Sequence, residues 1–346
     1  MSSFLSSEPL HLSPSEYHLR QLPKQPSLGY QGGPVELWQD MLRPKLKALL
    51  GWERYASVAR VPLNPRTLWR RETPEGVLEK VVFTAEPYAE VVGYLCLPKA
   101  KEPCPALICL QGHNSGAHLS IAVSRDDDLL PIVSQKDQDF GLQCLRNGVV
   151  GFCLEIRSFG ERRERKQEKT HQSHCLDAAL HALLLGHTLL AERIFDVDRV
   201  LDYLATRREV DMARVGILGE SGGGTVGLYA SALLPRLRFT VVACGFCSFR
   251  EGLMKIPHCG DNYVPGLLPV AEMADIAGLL APNPLLIVAG NPDAFYPLPA
   301  VQEAFTHVKR IYDVSGASAA CRFALGQDGH RFYADLAWPA IREFAP

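Results

Sequence analysis

The sequence predicts an α/β protein with a mostly parallel central sheet, helices on both faces and an N-terminal helical arm. A wholly apolar run at residues 106–110, and similar runs at 149–154, 215–218, 239–243 and 284–289, form the pattern of strands covered on both sides. Helical patterns separate them, at 139–146, 176–207, 222–234 and 298–312. The third observation is Gly219-Glu220-Ser221-Gly222-Gly223, a glycine-flanked turn between an apolar run and a helical pattern.

Taken in order, residues 1–33 are rich in Ser, Pro, Gln and Gly without periodicity and read as an extended arm. Residues 34–50 set Val35, Leu37, Trp38, Met41, Leu42, Leu46, Leu49 and Leu50 at helical spacing and stop at Gly51, which predicts an amphipathic helix. Residues 78–85 and 90–97 are β-rich and joined by the turn-like Glu86-Pro87-Tyr88, which predicts a hairpin. A strand-like Arg322-Phe323-Ala324-Leu325 precedes the last helical stretch. No internal repeat is visible and no linker follows residue 79. Residues 1–75 are therefore expected to pack as an arm and helix on one domain spanning 76–346.

Composition narrows the function. Of 346 residues, 47 % are hydrophobic, enough for a substantial core. The 36 basic and 38 acidic side chains leave a formal charge of −2, with no field to hold nucleic acid or an anionic membrane. Ten cysteines show no repeating C-x-x-C pattern, and Cys96, Cys109, Cys153 and Cys244 sit inside apolar strands as small hydrophobes. With no signal-like start and no apolar run of membrane-spanning length, the expectation is a cytoplasmic protein.

Ser221 carries the chemistry. A strand, a sharp turn and a helix present its hydroxyl at the top of a sheet, beside free N–H groups of a helix N-terminus. Such a hydroxyl is a weak nucleophile at neutral pH and needs a base, itself oriented by a third group. After a serine elbow the acid and then the histidine follow along the chain. His330 lies in a polar glycine loop after a strand-like segment, whereas His307 is mid-helix and His258 lies in an irregular stretch. For the acid, Asp293 directly follows the apolar run 284–289; Asp261, Asp275 and Asp313 do not, and Asp328 is too close to His330 in sequence. The oxyanion donors are read as the N–H of Gly222 and the main chain of His113, in the loop after residue 110. The His113 imidazole is read as a lining or structural group.

Together these segments resemble the α/β-hydrolase superfamily, and more closely its bacterial acetyl xylan esterase and dienelactone-hydrolase-like branch. The matching stretches are Leu110-Gln111-Gly112-His113, Glu155-Ile156-Arg157-Ser158-Phe159-Gly160-Glu161-Arg162, residues 219–224, Gly290-Asn291-Pro292-Asp293-Ala294-Phe295-Tyr296-Pro297 and Asp328-Gly329-His330-Arg331-Phe332. The resemblance covers roughly residues 75–345. It implies Ser221, Asp293 and His330 as a triad, with neither metal nor organic cofactor; the site itself is read as hydrolysing a small or medium carboxylic ester, a small-molecule substrate that the family name does not specify. One departure is Gly222, where the family usually has a larger residue; its missing side chain is read as leaving room over the serine. Residues 114–138 and 245–270 look like family-variable insertions near the site.

Other readings carry less. His171-x-x-His174-Cys175 lacks a second metal-ligand pair, His181 and His187 sit in an apolar helical pattern, and Gly222-Gly223-Gly224 has no phosphate-loop Lys after it. The segment 260–266 suits either a cap over the substrate or an inert loop. Acyl transfer, C–C bond hydrolysis and a non-catalytic binding role remain open alternatives to ester hydrolysis, and so does a homo-oligomer.

Overall fold

Alternation along the strands sorts the core into two layers. In β-structure successive side chains point to opposite faces. In the strand at 104–110, Ala106, Ile108 and Leu110 join one buried cluster, while Leu107 and Cys109 join the other. Both faces are therefore apolar, and both need a covering of helices. The computed structural model describes residues 12–57, 60–100, 103–113, 115–164 and 175–345.

The chain enters through α1 (Pro14–Arg20), α2 (Val35–Leu50) and α3 (Glu53–Ser57). An antiparallel meander follows: β1 (Arg66–Glu72), β2 (Gly76–Glu86) and β3 (Ala89–Pro98). Next come β4 (Cys104–Leu110), α4 (Phe140–Arg146), β5 (Val150–Leu154), α5 (Leu176–Leu184) and α6 (Leu189–Leu204). The last part runs β6 (Val210–Glu220), α7 (Gly222–Leu233), β7 (Phe239–Ala243), α8 (Met273–Gly278), β8 (Leu285–Gly290), α9 (Leu298–Val314), β9 (Cys321–Gly326) and α10 (Ala334–Phe344).

One nine-stranded sheet results, in the order β1-β2-β3-β5-β4-β6-β7-β8-β9. β3 meets β5 antiparallel, and every pair from β5 to β9 is parallel. Residues of α2, α6, α7, α8 and α9 bury the cluster on one face; α4 and α10 bury the other. The strand order reverses at β4, whose successor β5 lies on one side and β6 on the other. A crevice opens at the carboxyl ends of strands at such a reversal. The loops that leave β4 and β6 carry His113 and Ser221 to it.

Two expectations need correction. The sheet starts earlier than expected, because β1 lies inside the segment assigned to the arm. β1 is an edge strand with Arg66, Arg70, Arg71 and Glu72 and a largely exposed surface, so it lacks the apolar alternation that marks a strand. The stretch 176–207 is two helices, α5 and α6, bent by 97°. Gly186 adopts φ 85°, and Thr188 caps α6 by accepting a 3.1 Å hydrogen bond from Ala191 N. The described part of the arm packs on the body: Ser27 and Leu28 donate backbone hydrogen bonds to Pro269 and Val270, and Tyr30 N donates to Asp275.

Candidate active site

The turn after β6 holds Ser221 at φ 52°, ψ −118°, a conformation costly for a residue with a side chain. Tight surroundings impose it. The Ser221 N–H donates 2.8 Å to Ala243 O at the end of β7, and its carbonyl accepts from Thr225 N in the first turn of α7. Gly219 is glycine because a Cβ there would run into the Gly223 carbonyl, where helix and strand cross.

His330 follows β9 and Asp293 follows β8, and these strands are parallel neighbours with Gly290 paired to Gly326. The His330 Nδ1–H donates 2.7 Å to Asp293 Oδ2. Asp293 Oδ1 is fixed separately by the N–H groups of Phe295 (2.8 Å) and Tyr296 (3.1 Å). The Asp293 side chain is 1 % exposed and that of His330 is 23 % exposed, so the imidazole alone reaches solvent. Tyr296 stacks on the ring at 5.8 Å and Phe295 meets it edge-on at 5.3 Å, which fixes its plane. The loop is tied down by Arg331, which pairs with Asp328 at 2.7 Å and Asp137 at 2.9 Å. Among the described residues Ser221 Oγ and His330 are not hydrogen-bonded, a contact that often tightens only with substrate bound.

The competing acids are engaged elsewhere. Asp275 holds His307 and the N–H of Tyr30, and Asp313 is a half-exposed residue on α9 beside Lys309. His258 packs against Phe295 and Tyr296, and burial followed by the nearby His113 charge pushes its pKa down.

Asp261 has a partner that the sequence did not reveal. It lies in the insertion 245–270, and its two oxygens each stand 3.1 Å from His113 Nε2. Arg193 of α6 pairs with the same carboxylate and also donates 2.8 Å to the Arg157 carbonyl and 3.3 Å to Cys175 Sγ. The Asp261 side chain is 0 % and Arg193 2 % exposed. Burial alone would lift the Asp261 pKa; Arg193 and His113 instead hold it far below the carboxylate range. Burial alone would lower His113, yet its bonds to Asp261 and Cys259 raise it to about 9. The available signal was Arg193 itself, a charge on a helix face otherwise filled with Leu189, Leu190, Ile194, Val197 and Leu201.

The His113 ring settles the question of Gly222. A Cβ on Gly222 would clash with Nδ1 and Cε1 of His113, so the expected room over the serine is filled by that imidazole. Arg157 binds Glu86, Glu192 and Asp196, and Arg162 binds Asp196, so the stretch 155–162 clamps the end of β5 to α6. A cavity of about 330 Å³ opens beside it, lined by Ser115, His118, Arg125, Ser158, Phe159 and Cys175 among others.

Among the described residues, two groups bring three metal-ligand atoms within 4.8 Å of one another: His113, Cys175 and Asp261, and Cys244, Asp293 and His330. In the first, the Arg193 guanidinium already supplies the cation; in the second, His330 Nδ1 is engaged with Asp293. His171 and His174 lie outside the described residues; His187 pairs with Glu192 at 2.8 Å.

Comparison with known proteins agrees with this architecture. Residues 133–264 match the family model for acetyl xylan esterase (AXE1), a span that contains Ser221 and ends before Asp293. YtaP of Bacillus subtilis (strain 168), provisionally named a hydrolase, is 26 % identical over 291 residues, covering 82 % of this chain and 92 % of its own. A crystal structure from Bacteroides fragilis NCTC 9343, provisionally named an acetyl xylan esterase, superposes with a TM-score of 0.74 at 17 % identity, covering 94 % of this chain and 84 % of that one. A glucuronoyl esterase from Solibacter usitatus gives 0.64 at 17 % identity, covering 94 % and 98 %. The chain thus has the α/β-hydrolase fold, is similar in sequence to acetyl xylan esterases over residues 133–264, and has carboxylesterases as structural neighbours.

Proposed function

We propose that the protein is a serine hydrolase that cleaves small or medium carboxylic esters through an acyl-enzyme on Ser221. One observation carries the reading. A strained serine between β6 and α7 shares the carboxyl edge of the sheet with a His330–Asp293 pair whose only partly exposed member is the imidazole. The esterase likenesses support the same reaction class, and the acetyl xylan esterase match favours acetylated sugars as first substrates to try.

In this reading His330 Nε2 takes the Ser221 proton as Oγ attacks the carbonyl carbon. Asp293 keeps the proton on Nδ1 and offsets the imidazolium charge that forms. The main-chain N–H groups of Gly222 and His113 receive the oxyanion. On collapse the alcohol leaves with the proton from His330, and water repeats the sequence to release the acid. Electrophilic help comes from backbone N–H groups, so activity is expected to survive exhaustive chelation; loss that zinc alone restores would refute this.

The test is a fluorophosphonate label read by peptide mass spectrometry, beside turnover of activated esters of rising acyl length, acetylated sugars and lactones. Labelling of Ser221 with turnover of at least the acetyl esters is expected. A label on another serine, or no turnover of any ester, overturns the proposal.

A further inference from the structure

His113, Asp261 and Arg193 form a second histidine–carboxylate arrangement on the other side of Ser221, and ester hydrolysis as derived above leaves its side chains unused. Its geometry differs from that of His330 and Asp293 in three ways. The carboxylate is shared by two donors, the Arg193 guanidinium and the His113 ring. The cluster is buried, yet the His113 side chain remains 15 % exposed. The Nδ1–Cε1 edge of the ring, adjoining the Nε2 atom bound to Asp261, lies on Gly222, the residue whose N–H follows the serine.

Buried charges are stable when paired, and one carboxylate cannot neutralise two cations. When the His113 ring is protonated, the surplus positive charge lies on this partly exposed ring, over the elbow, because Arg193 and Asp261 are fully buried. Phe159 completes the setting: its ring is 5.2 Å from His113 and 4.8 Å from the Arg193 guanidinium, so an aromatic wall keeps water from the pair. The two Arg193 bonds to the Arg157 carbonyl extend the support into the clamp at the end of β5.

We propose that Arg193, Asp261 and His113 act as a relay that fixes the His113 ring over Gly222 and delivers a positive charge beside the ester carbonyl oxygen as that oxygen becomes negative. His113 is then a side-chain contributor to oxyanion stabilisation as well as a main-chain donor, and Asp261 and Arg193 are positioning residues. The inference rests on the serine-hydrolase reading. The groups that face the ring are Asp261 with Arg193 behind it, the Cys259 and Cys175 thiols, and His258. With its ordinary value of 6.5 raised to about 9, the ring carries charge through the neutral range and loses it above.

The experiment compares wild type with His113→Gln on an uncharged acetyl ester from pH 6 to 10, with a trifluoromethyl ketone as the oxyanion-forming probe. Wild-type kcat should fall on the alkaline side near pH 9. His113→Gln should lose about 10- to 100-fold in kcat at pH 7.5, with KM within about threefold and no limb near pH 9. The ketone should weaken by a similar factor. Unchanged kcat, a loss confined to KM, or a limb that persists in the variant overturns the relay. Should the variant not fold, ketone affinity for the wild-type protein decides: it must decline above pH 9, and a flat profile refutes the proposal. Fluorophosphonate labelling separates the two failures. A labelled Ser221 with an indifferent His113→Gln defeats the relay alone, whereas an unlabelled Ser221 defeats the reading beneath it.

Discussion

His330 and Asp293 meet at 2.7 Å because their strands are parallel neighbours in register, Gly290 opposite Gly326, and each residue lies a few positions beyond its strand end. Ser221 leaves β6, and β7 stands between β6 and β8. The sheet therefore spaces the three side chains, and the loops only aim them. The His113–Asp261 pair obeys different logic, since Asp261 comes from an insertion and Arg193 from a helix.

Ser221→Ala should lower kcat on any ester by about 10⁴-fold or more while leaving the fold intact, as removal of such a nucleophile does. Steady-state turnover alongside circular dichroism checks both halves. A variant that keeps a tenth of its activity would put the nucleophile elsewhere.

Asp293→Asn should cost about 10⁴-fold in kcat, because an amide favours the wrong His330 tautomer and cannot offset imidazolium charge. Asp313→Asn should be silent, its carboxylate being 51 % exposed and 3.8 Å from Lys309. The two rates, measured side by side, assign the acid; a reversal would move it to α9.

Patterns that repeat were legible in the sequence. The buried strands of the parallel half and the elbow each advertise themselves over consecutive residues, as apolar runs or as glycines around a serine. Asp293 and His330 followed from strand ends and chain order. What stayed hidden depends on one residue against a distant one. β1 is an edge strand whose charges mask its alternation, and the α5–α6 break rests on Gly186 and a single Thr188 cap. Asp261 was weighed only as an acid for His330. Nothing local ties it to His113, 148 positions away, or to Arg193.

Gly222→Ala should be harmful for every substrate alike. The added methyl group meets the His113 ring, which is held by Asp261 and cannot yield cheaply. Overpacking of this kind costs about 1–3 kcal/mol. The melting temperature should drop, and kcat/KM should fall by similar factors for acetyl and longer acyl esters. His113→Ala in the same chain should restore much of the stability without restoring kcat. Selective loss on bulky esters at unchanged stability would show instead that substrate occupies this space.

Glu155 should make the protein less stable at alkaline pH. Its carboxylate ties the loop after β4 to the loop after β5, accepting from Ala117 N at 3.2 Å and Glu161 N at 3.3 Å. Burial raises its pKa from 4.5 to about 7, and those N–H groups offset the effect only in part. A carboxyl group raised in the folded state contributes stability that is complete below its unfolded value. That contribution is lost as pH climbs through the folded value. Between pH 5 and pH 8 the loss is on the order of 3 kcal/mol. Glu155→Gln mimics the protonated form and should lack this component, while every other titrating group is shared by the two proteins. Urea midpoints at pH 5 and pH 8 should therefore diverge only at the higher pH, with the variant more stable. Equal midpoints at pH 8 would mean that Glu155 ionises there at no cost, and that the tie between the two loops does not sense pH.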